Sequence, residues 1–259
     1  MADVTVVLTS CARFDLLRET LASFQQHNDY PLARFLLIED SGDAAVFDVV
    51  QEFPQLKIEV VLNNPSIGQH ASIDRAYSMV DTEYIFHCED DWLFLRKGII
   101  ADSVALMDND ASIALVWARG DEGAPPWVKK SPRIVQSGVP IRPIDPKAHH
   151  LWGNFTFNPG LRRLSHYRMM PGGYVVNAEG RTSIFLKRRG YRMVILAETG
   201  VGHIGGGERS TGSPTASIKQ QTNAGSGAKL FKKLKRLPRS LRLRVSHAMW
   251  LLKCRFIPK

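Results

Sequence analysis

The chain has 259 residues, 44% hydrophobic and 23% charged, which suits one large globular domain or one domain with an appendage. The formal net charge is +9, but Lys229–Lys259 holds 11 of the 34 basic residues and none of the 25 acidic ones. The body is therefore nearly neutral, which argues against a nucleic-acid-binding body, and the basicity belongs to a tail suited to an anionic surface.

Cys11, Cys88 and Cys254 are far apart and odd in number, which argues against zinc spacing and against a disulfide framework. A reducing, cytoplasmic compartment is the simplest expectation. The N-terminus runs directly into Asp3-Val4-Thr5-Val6-Val7-Leu8 without a basic region before a long apolar one, so no signal peptide is expected. No stretch approaches the ~20 apolar residues that span a bilayer.

In chain order, the β-branched run Val4 to Leu8 predicts a strand. Leu16, Leu17, Leu21 and Phe24 then recur near helical period across Asp15 to Gln26. Arg34 to Ile38 reads as strand, Ala44 to Phe53 as helix, Lys57 to Leu62 as strand and Ile67 to Val80 as helix. A fourth strand, Glu83 to Cys88, is followed by a helix over Gly98 to Met107 and a strand over Ser112 to Trp117. Strands alternating with helices predict an α/β fold, a mostly parallel sheet covered on both faces. The pattern breaks between Gly120 and Pro171, a Pro- and Gly-rich stretch carrying Trp127, Trp152, Phe155 and Phe157, and long loops of this kind are usually functional. Helical character returns over Val175 to Arg189, and Tyr191 to Leu196 reads as the last strand. The Gly-, Ser- and Thr-rich stretch Gly200 to Gly227 leads to the tail, where Leu, Phe and Trp side chains interleave with the charges around Pro238. A basic amphipathic helix of this kind commonly lies on an anionic bilayer; nucleic-acid contact or docking on the body are its alternatives.

The most informative stretch is Tyr84-Ile85-Phe86-His87-Cys88-Glu89-Asp90-Asp91, an apolar run ending in three consecutive carboxylates. Adjacent like charges repel, so such a cluster is costly unless a cation sits against it. Mg²⁺ and Mn²⁺ take carboxylate oxygens and often bind together with substrate phosphates. The place also fits, because open α/β sheets bind ligands beyond the carboxyl ends of their strands. A solvated acidic turn is the bland alternative.

The order of strand, Thr9-Ser10-Cys11-Ala12-Arg13, helix, strand, Glu39-Asp40-Ser41-Gly42, strand, Asn63 to Gly68, helix, strand and Glu89-Asp90-Asp91 resembles the nucleotide-sugar glycosyltransferases of the GT-A (Rossmann-like) fold. It is most similar to glycosyltransferase family 2, and the Glu-Asp-Asp form is similar to the eukaryotic N-acetylglucosaminyltransferases of the Golgi. The resemblance covers Val4 to Arg209. It implies that Thr9, Ser10 and Arg13 hold the nucleotide, with Arg13 on the diphosphate. Asp40 would accept a hydrogen bond from the base, typically uracil, with Glu39 sharing the role. Gly68 and Asp74 would lie on the helix facing the nucleotide, and Glu89 and Asp90 on the ribose or donor sugar. Asp91 would be the metal ligand, joined by His203 in Gly202-His203-Ile204-Gly205-Gly206-Gly207. Arg209 would close over the diphosphate. Glu179, eleven residues before Gly190-Tyr191, matches the family's catalytic base, although Ala178 replaces the acid that usually precedes it. Asp121 or Glu122 would be the reserve base.

The resulting expectation is a catalytic domain over 1–209, divided at 119/120 into nucleotide-binding and acceptor halves, a linker over 210–228 and a basic amphipathic tail over 229–259. It would be a cytoplasmic, inverting enzyme, peripheral to the membrane and dependent on Mn²⁺ or Mg²⁺. It would move a sugar from a nucleotide donor to a lipid-linked or surface glycan. A sugar-nucleotidyltransferase is the first rival; a non-catalytic glycan- or nucleic-acid-binding protein is the second.

Overall fold

The computed structural model describes residues 3–121, 124–149 and 153–206. The basic tail, Arg209, Glu122 and Trp152 lie outside the described residues.

The first half alternates as its periodicity predicts. It runs β1 (Val4–Ser10), α1 (Phe14–His27), β2 (Arg34–Glu39), α2 (Val46–Gln51), β3 (Ile58–Leu62), α3 (Gln69–Ser78), β4 (Tyr84–Glu89), β5 (Trp92–Phe94), α4 (Ile99–Asn109) and β6 (Ile113–Trp117). The two-residue period of the strands sorts their side chains onto two cores. Val4, Val6 and Leu8 of β1, with Phe35, Leu37, Tyr84 and Phe86, meet Leu17, Leu21 and Phe24 of α1 and the apolar faces of α2 and α4. Val7, Leu36, Ile38 and Ile85 point the other way, to Ile73, Ala76 and Tyr77 of α3. Both faces are buried, which is why these strands read as continuous apolar runs.

The second half contains more regular structure than its composition suggests. The stretch expected as one long loop holds β7 (Ile134–Gln136), β8 (Val139–Pro143), β9 (Gly160–Arg163) and α5 (Leu164–Arg168). β9 inserts antiparallel between β4 and β6, giving a nine-stranded sheet in the order β3-β2-β1-β4-β9-β6-β10-β8-β7, where β10 is Arg192–Leu196. Gly160 makes the insertion possible: a Cβ there would lie 2.3 Å from the Val116 carbonyl oxygen. Phe155 and Phe157 are core residues, buried against Tyr174 of α6 (Gly173–Val176).

The helix expected over Val175 to Arg189 is two helices, α6 and α7 (Glu179–Arg188). Asn177 leaves the helical region at φ −111°, and its Nδ2 donates to the Pro171 carbonyl at 2.8 Å and the Gly173 carbonyl at 2.6 Å. A side chain that serves the preceding turn in this way competes with helix continuation. Nor is β10 the last strand. β11 (Val201–His203) pairs antiparallel with β5, setting His203 opposite Trp92. Among the described residues, no helix is long and apolar enough to cross a membrane.

Candidate active site

The carboxyl ends of β1, β2 and β4 are in register, with Ser10 opposite Glu39 and Thr9 opposite both Ile38 and Glu89. The triplet therefore emerges beside the β1–α1 and β2–α2 connections. Its turn is pinned from beneath by Thr20 of α1, whose hydroxyl donates to the Asp90 carbonyl at 2.8 Å and accepts the Trp92 amide at 3.2 Å. Thr20 is fully buried in an otherwise apolar helix face, and a polar residue at such a position is the signal in the sequence that marks it.

Arg13 supplies the cation that the triplet needs. Its Nη1 donates to Asp91 Oδ2 at 2.7 Å, its Nη2 pairs with Asp90 Oδ1, and its Nε lies 3.3 Å from Asp90 Oδ2. Ser10 Oγ donates to the same Asp90 oxygen at 3.1 Å. One guanidinium does not balance three carboxyls. Burial pushes Asp90 up to about 6 although Arg13 pulls it down, and burial, with the charge of Asp91 added, raises Glu89 to about 7. Glu89 Oε1 accepts from Gln69 Nε2 of α3 at 2.7 Å, and Trp92 Nε1 donates to its Oε2 at 3.4 Å.

Several residues expected at the nucleotide are hydrogen-bonded or buried within the protein. Thr9 and Ser10 are buried, and Ser10 spends its hydroxyl on Asp90. Asp40 receives four donors: Asn63 Nδ2 at 2.9 Å, the Ile67 amide at 2.8 Å, Ser66 Oγ at 2.8 Å and the Gly68 amide at 2.7 Å. Burial would raise its carboxyl, but these donors outweigh it and hold Asp40 below its ordinary value. The lone pairs expected to meet a base are thus occupied in shaping the β3–α3 connection. Glu39, fully buried, accepts the amides of Ala12 at 3.0 Å and Ser41 at 2.9 Å through Oε1, while its Oε2 has no partner. Asp74 is directed at α6 rather than at the triplet, accepting the Tyr174 amide at 2.8 Å, the Val175 amide at 2.9 Å and the Tyr167 hydroxyl at 2.9 Å. The position does lie on α3, but its side chain points to the opposite neighbour.

His203 comes to the triplet on β11. Its Nε2 lies 3.3 Å from Asp91 Oδ2 and its ring packs 4.9 Å from Trp92. The following loop crosses closely over Asp91: the Ile204 amide donates to the Asp91 carbonyl at 2.9 Å, and a Cβ on Gly205 would come within 2.5 Å of Asp91 Oδ2. Gly68, at φ +90°, opens α3 with free space where a Cβ would stand.

On the acceptor side, Glu179 opens α7, and its Oε1 accepts the Phe157 amide at 3.1 Å. His70 of α3 packs 5.2 Å from the Phe157 ring. Burial lowers its pKa, opposed by the charges of Asp74 and Glu179. Gln69 and His70 therefore link the triplet to Glu179, a connection with no motif in the sequence.

A divalent ion fits Asp91 and His203. Asp91 Oδ1 is buried with no hydrogen-bond partner, and the imidazole stands beside Oδ2. Among the described residues no group of three or more His, Cys, Asp or Glu converges to form a closed cage. Two such residues would leave positions open, the arrangement expected where phosphates complete the coordination.

The mostly parallel sheet covered by helices on both faces is the GT-A fold. Among solved structures, the chain is similar to the mannosyltransferase PcManGT from Pyrobaculum calidifontis, in complex with GDP-Man and Mn²⁺, at a TM-score of 0.56 and 16% identity over 76% of this chain and 56% of that one. It is similar to S. aureus TarS in complex with UDP-GlcNAc, at 0.60 and 12% identity over 81% of this chain and 62% of TarS. GalNAc-T7 with UDP, GalNAc and Mn²⁺ aligns at 0.58 and 14% identity over 81% of this chain and 44% of that one. The chain thus spans about half the length of these structures. No family model and no curated protein matches the sequence.

Proposed function

We propose that this chain transfers a sugar from a nucleotide-sugar to an acceptor hydroxyl with inversion at the anomeric carbon, in a reaction that needs Mn²⁺ or Mg²⁺. The observation that carries the reading is the meeting of Arg13, Asp91 and His203 at the carboxyl end of a GT-A sheet. The GDP-Man, UDP-GlcNAc and UDP of the similar structures support it.

Arg13 presents a planar fork suited to the donor diphosphate. Glu89 and Asp90 face the ribose or sugar hydroxyls as acceptors, and Asp40 shapes the base subsite through the 63–68 connection. Asp91 and His203 are the residues that would hold the ion, which when bound neutralises charge on the departing diphosphate. Glu179 is the base. The Phe157 amide fixes one of its oxygens; the carboxylate takes the proton from the acceptor hydroxyl. That oxygen bonds to the anomeric carbon on the face opposite the diphosphate, while the carbon–oxygen bond to the phosphate breaks and its electron pair leaves with the nucleoside diphosphate.

The acceptor we assign is a lipid-linked or growing surface glycan, met on the cytoplasmic face of the membrane by the basic tail over 229–259. Support for this part is the separation of charge along the sequence. Two experiments test the reading. In a thermal-shift screen of UDP-, GDP- and dTDP-sugars with and without Mn²⁺, one donor should stabilise the protein in the presence of the ion, by about 2.7 kcal/mol at 100 Kd. No shift with any donor would remove the reading. Binding to anionic liposomes should weaken as salt rises and be lost on truncation near Gly227; salt-insensitive binding would remove the membrane assignment.

A further inference from the structure

The position of Arg13 bears on how the ion and the donor enter. Asp91 offers its Oδ2 to Arg13 Nη1 at 2.7 Å and stands 3.3 Å from His203 Nε2 at the same oxygen. Arg13 also grips Asp90 through Nε and Nη2, so one guanidinium spans two adjacent carboxylates. The placement is built into the loop. Ala12, just before Arg13, is an exposed residue at φ +58°, in the left-handed region that non-glycine residues adopt at a cost. Its amide is held in place by Glu39 Oε1 at 3.0 Å. A guanidinium against Asp91 is a positive charge in the place a divalent ion needs, and the two cations repel each other across one carboxylate.

We propose that Arg13 is a resident counter-ion that closes the metal seat until the donor arrives. The diphosphate of the donor offers the guanidinium a bidentate partner of higher negative charge. Drawing Arg13 onto the phosphates uncovers Asp91 Oδ2 beside the unpartnered Oδ1, and the ion then enters. Nucleotide and ion therefore bind as a coupled pair, and the donor-free protein holds the ion poorly. The inference rests on the reading of the site as a metal-dependent nucleotide-sugar site.

The test is Mn²⁺ binding to the full chain, followed by the electron paramagnetic resonance of the free ion, with no nucleotide present. Arg13→Gln should bind Mn²⁺ about tenfold more tightly than the wild type, a coupling within the usual range. Free nucleoside diphosphates chelate Mn²⁺ themselves, so the nucleotide-free comparison is the diagnostic one. A wild type that takes up Mn²⁺ with UDP or GDP while Arg13→Gln binds it no more tightly without nucleotide would overturn the counter-ion and leave the proposed function standing. A wild type that takes up no Mn²⁺ with any nucleoside diphosphate would overturn both. A second measurement avoids the variant, in case it fails to fold. In wild-type protein with ¹⁵N-labelled arginine, the Arg13 Nε resonance should move on adding the nucleoside diphosphate alone and stay in place on adding Mg²⁺ alone. A resonance that bound nucleoside diphosphate does not move would also overturn the proposal.

Discussion

Two buried carboxylates, one in each half of the sheet, respond to burial in opposite ways. Asp90 and Asp121 are 1% and 3% exposed. Burial pushes Asp90 up to about 6 against the pull of Arg13, whereas Asp121 is held down to about 2, first by hydrogen bonds from Arg133, then, against its burial, by those from Arg142. The contacts around Asp121 are Arg133 Nε at 2.8 Å, Arg133 Nη2 at 2.6 Å and Arg142 Nε at 2.8 Å. The difference is one of charge count. Among the described residues, Asp121 is paired with two guanidinium groups, while Glu89, Asp90 and Asp91 share one, with His203 alongside. A buried charge is tolerated where its partners are complete. The Asp121 cluster is a finished clamp, with its lone pairs taken up by arginines, and it is closed to the role of reserve base. Among the described residues, the triplet is short of positive charge.

The largest effect should follow from removing the carboxylate of the triplet that stands beside His203. Asp91→Ala should abolish Mn²⁺-dependent binding of the donor while leaving the fold intact, since Arg13 loses Asp91 but keeps Asp90 as its partner. Calorimetric titration of the donor with Mn²⁺ checks it; unchanged affinity would move the ion away from Asp91. Next in size, Glu179→Gln should keep donor binding and lower kcat by roughly 10²–10⁴-fold, the usual contribution of general-base catalysis. Retention of anomeric configuration in the product, or near-normal turnover, would contradict its role.

Asp121→Asn should reverse this pattern. Donor affinity should be unchanged and stability should fall by about 3 kcal/mol, the low end for breaking a buried pair. The low end is appropriate because Arg133 is 55% exposed and can turn to water, leaving Arg142, 14% exposed, as the stranded charge. Urea unfolding of both proteins measures it. A loss of donor binding larger than the loss of stability would mean that the two halves are coupled through this clamp.

How much of this is legible in the sequence follows the range of the contacts involved. In the first half each strand carries its own apolar run and each helix its own period, so β1 to β4 and α1 to α4 are visible locally, and the triplet is visible because it interrupts a strand. β9 is not: its four residues, Gly-Leu-Arg-Arg, become a strand only because β4 and β6 leave a gap that Gly160 can enter. β5 and β11 have three residues each and exist through each other. The family resemblance brings Arg13, Asp91 and His203 to one place by motif order, but it says nothing of which lone pairs the scaffold has already used. Asp40 and Asp74 show this. Both stand where the motifs put them, and both are consumed by backbone amides that sequence spacing does not reveal.

The smallest effect is a pH dependence that isolates the Asp121 clamp. Its carboxyl titrates at about 2 in the folded protein, below the 3.8 of the free side chain. The unfolded chain therefore takes up a proton first as pH falls, so the stabilisation is complete above about pH 4 and drains away between pH 4 and 2. The fall from 3.8 to about 2 corresponds to roughly 2–3 kcal/mol. Asp110 would mask this in the wild type alone, since Ser112 and Arg192 hold it, against its burial, at about 2 as well. Asp110 is present in both proteins, however, and cancels in the difference between wild type and Asp121→Asn. That difference, measured by urea unfolding in steps from pH 7 to pH 2, should be constant down to about pH 4 and then shrink. A difference that stays constant to pH 2 would mean that folding does not lower the Asp121 carboxyl. One that grows as pH falls from 7 to 5 would mean that burial, not the guanidinium pair, governs this carboxyl, and the contrast with Asp90 would be lost.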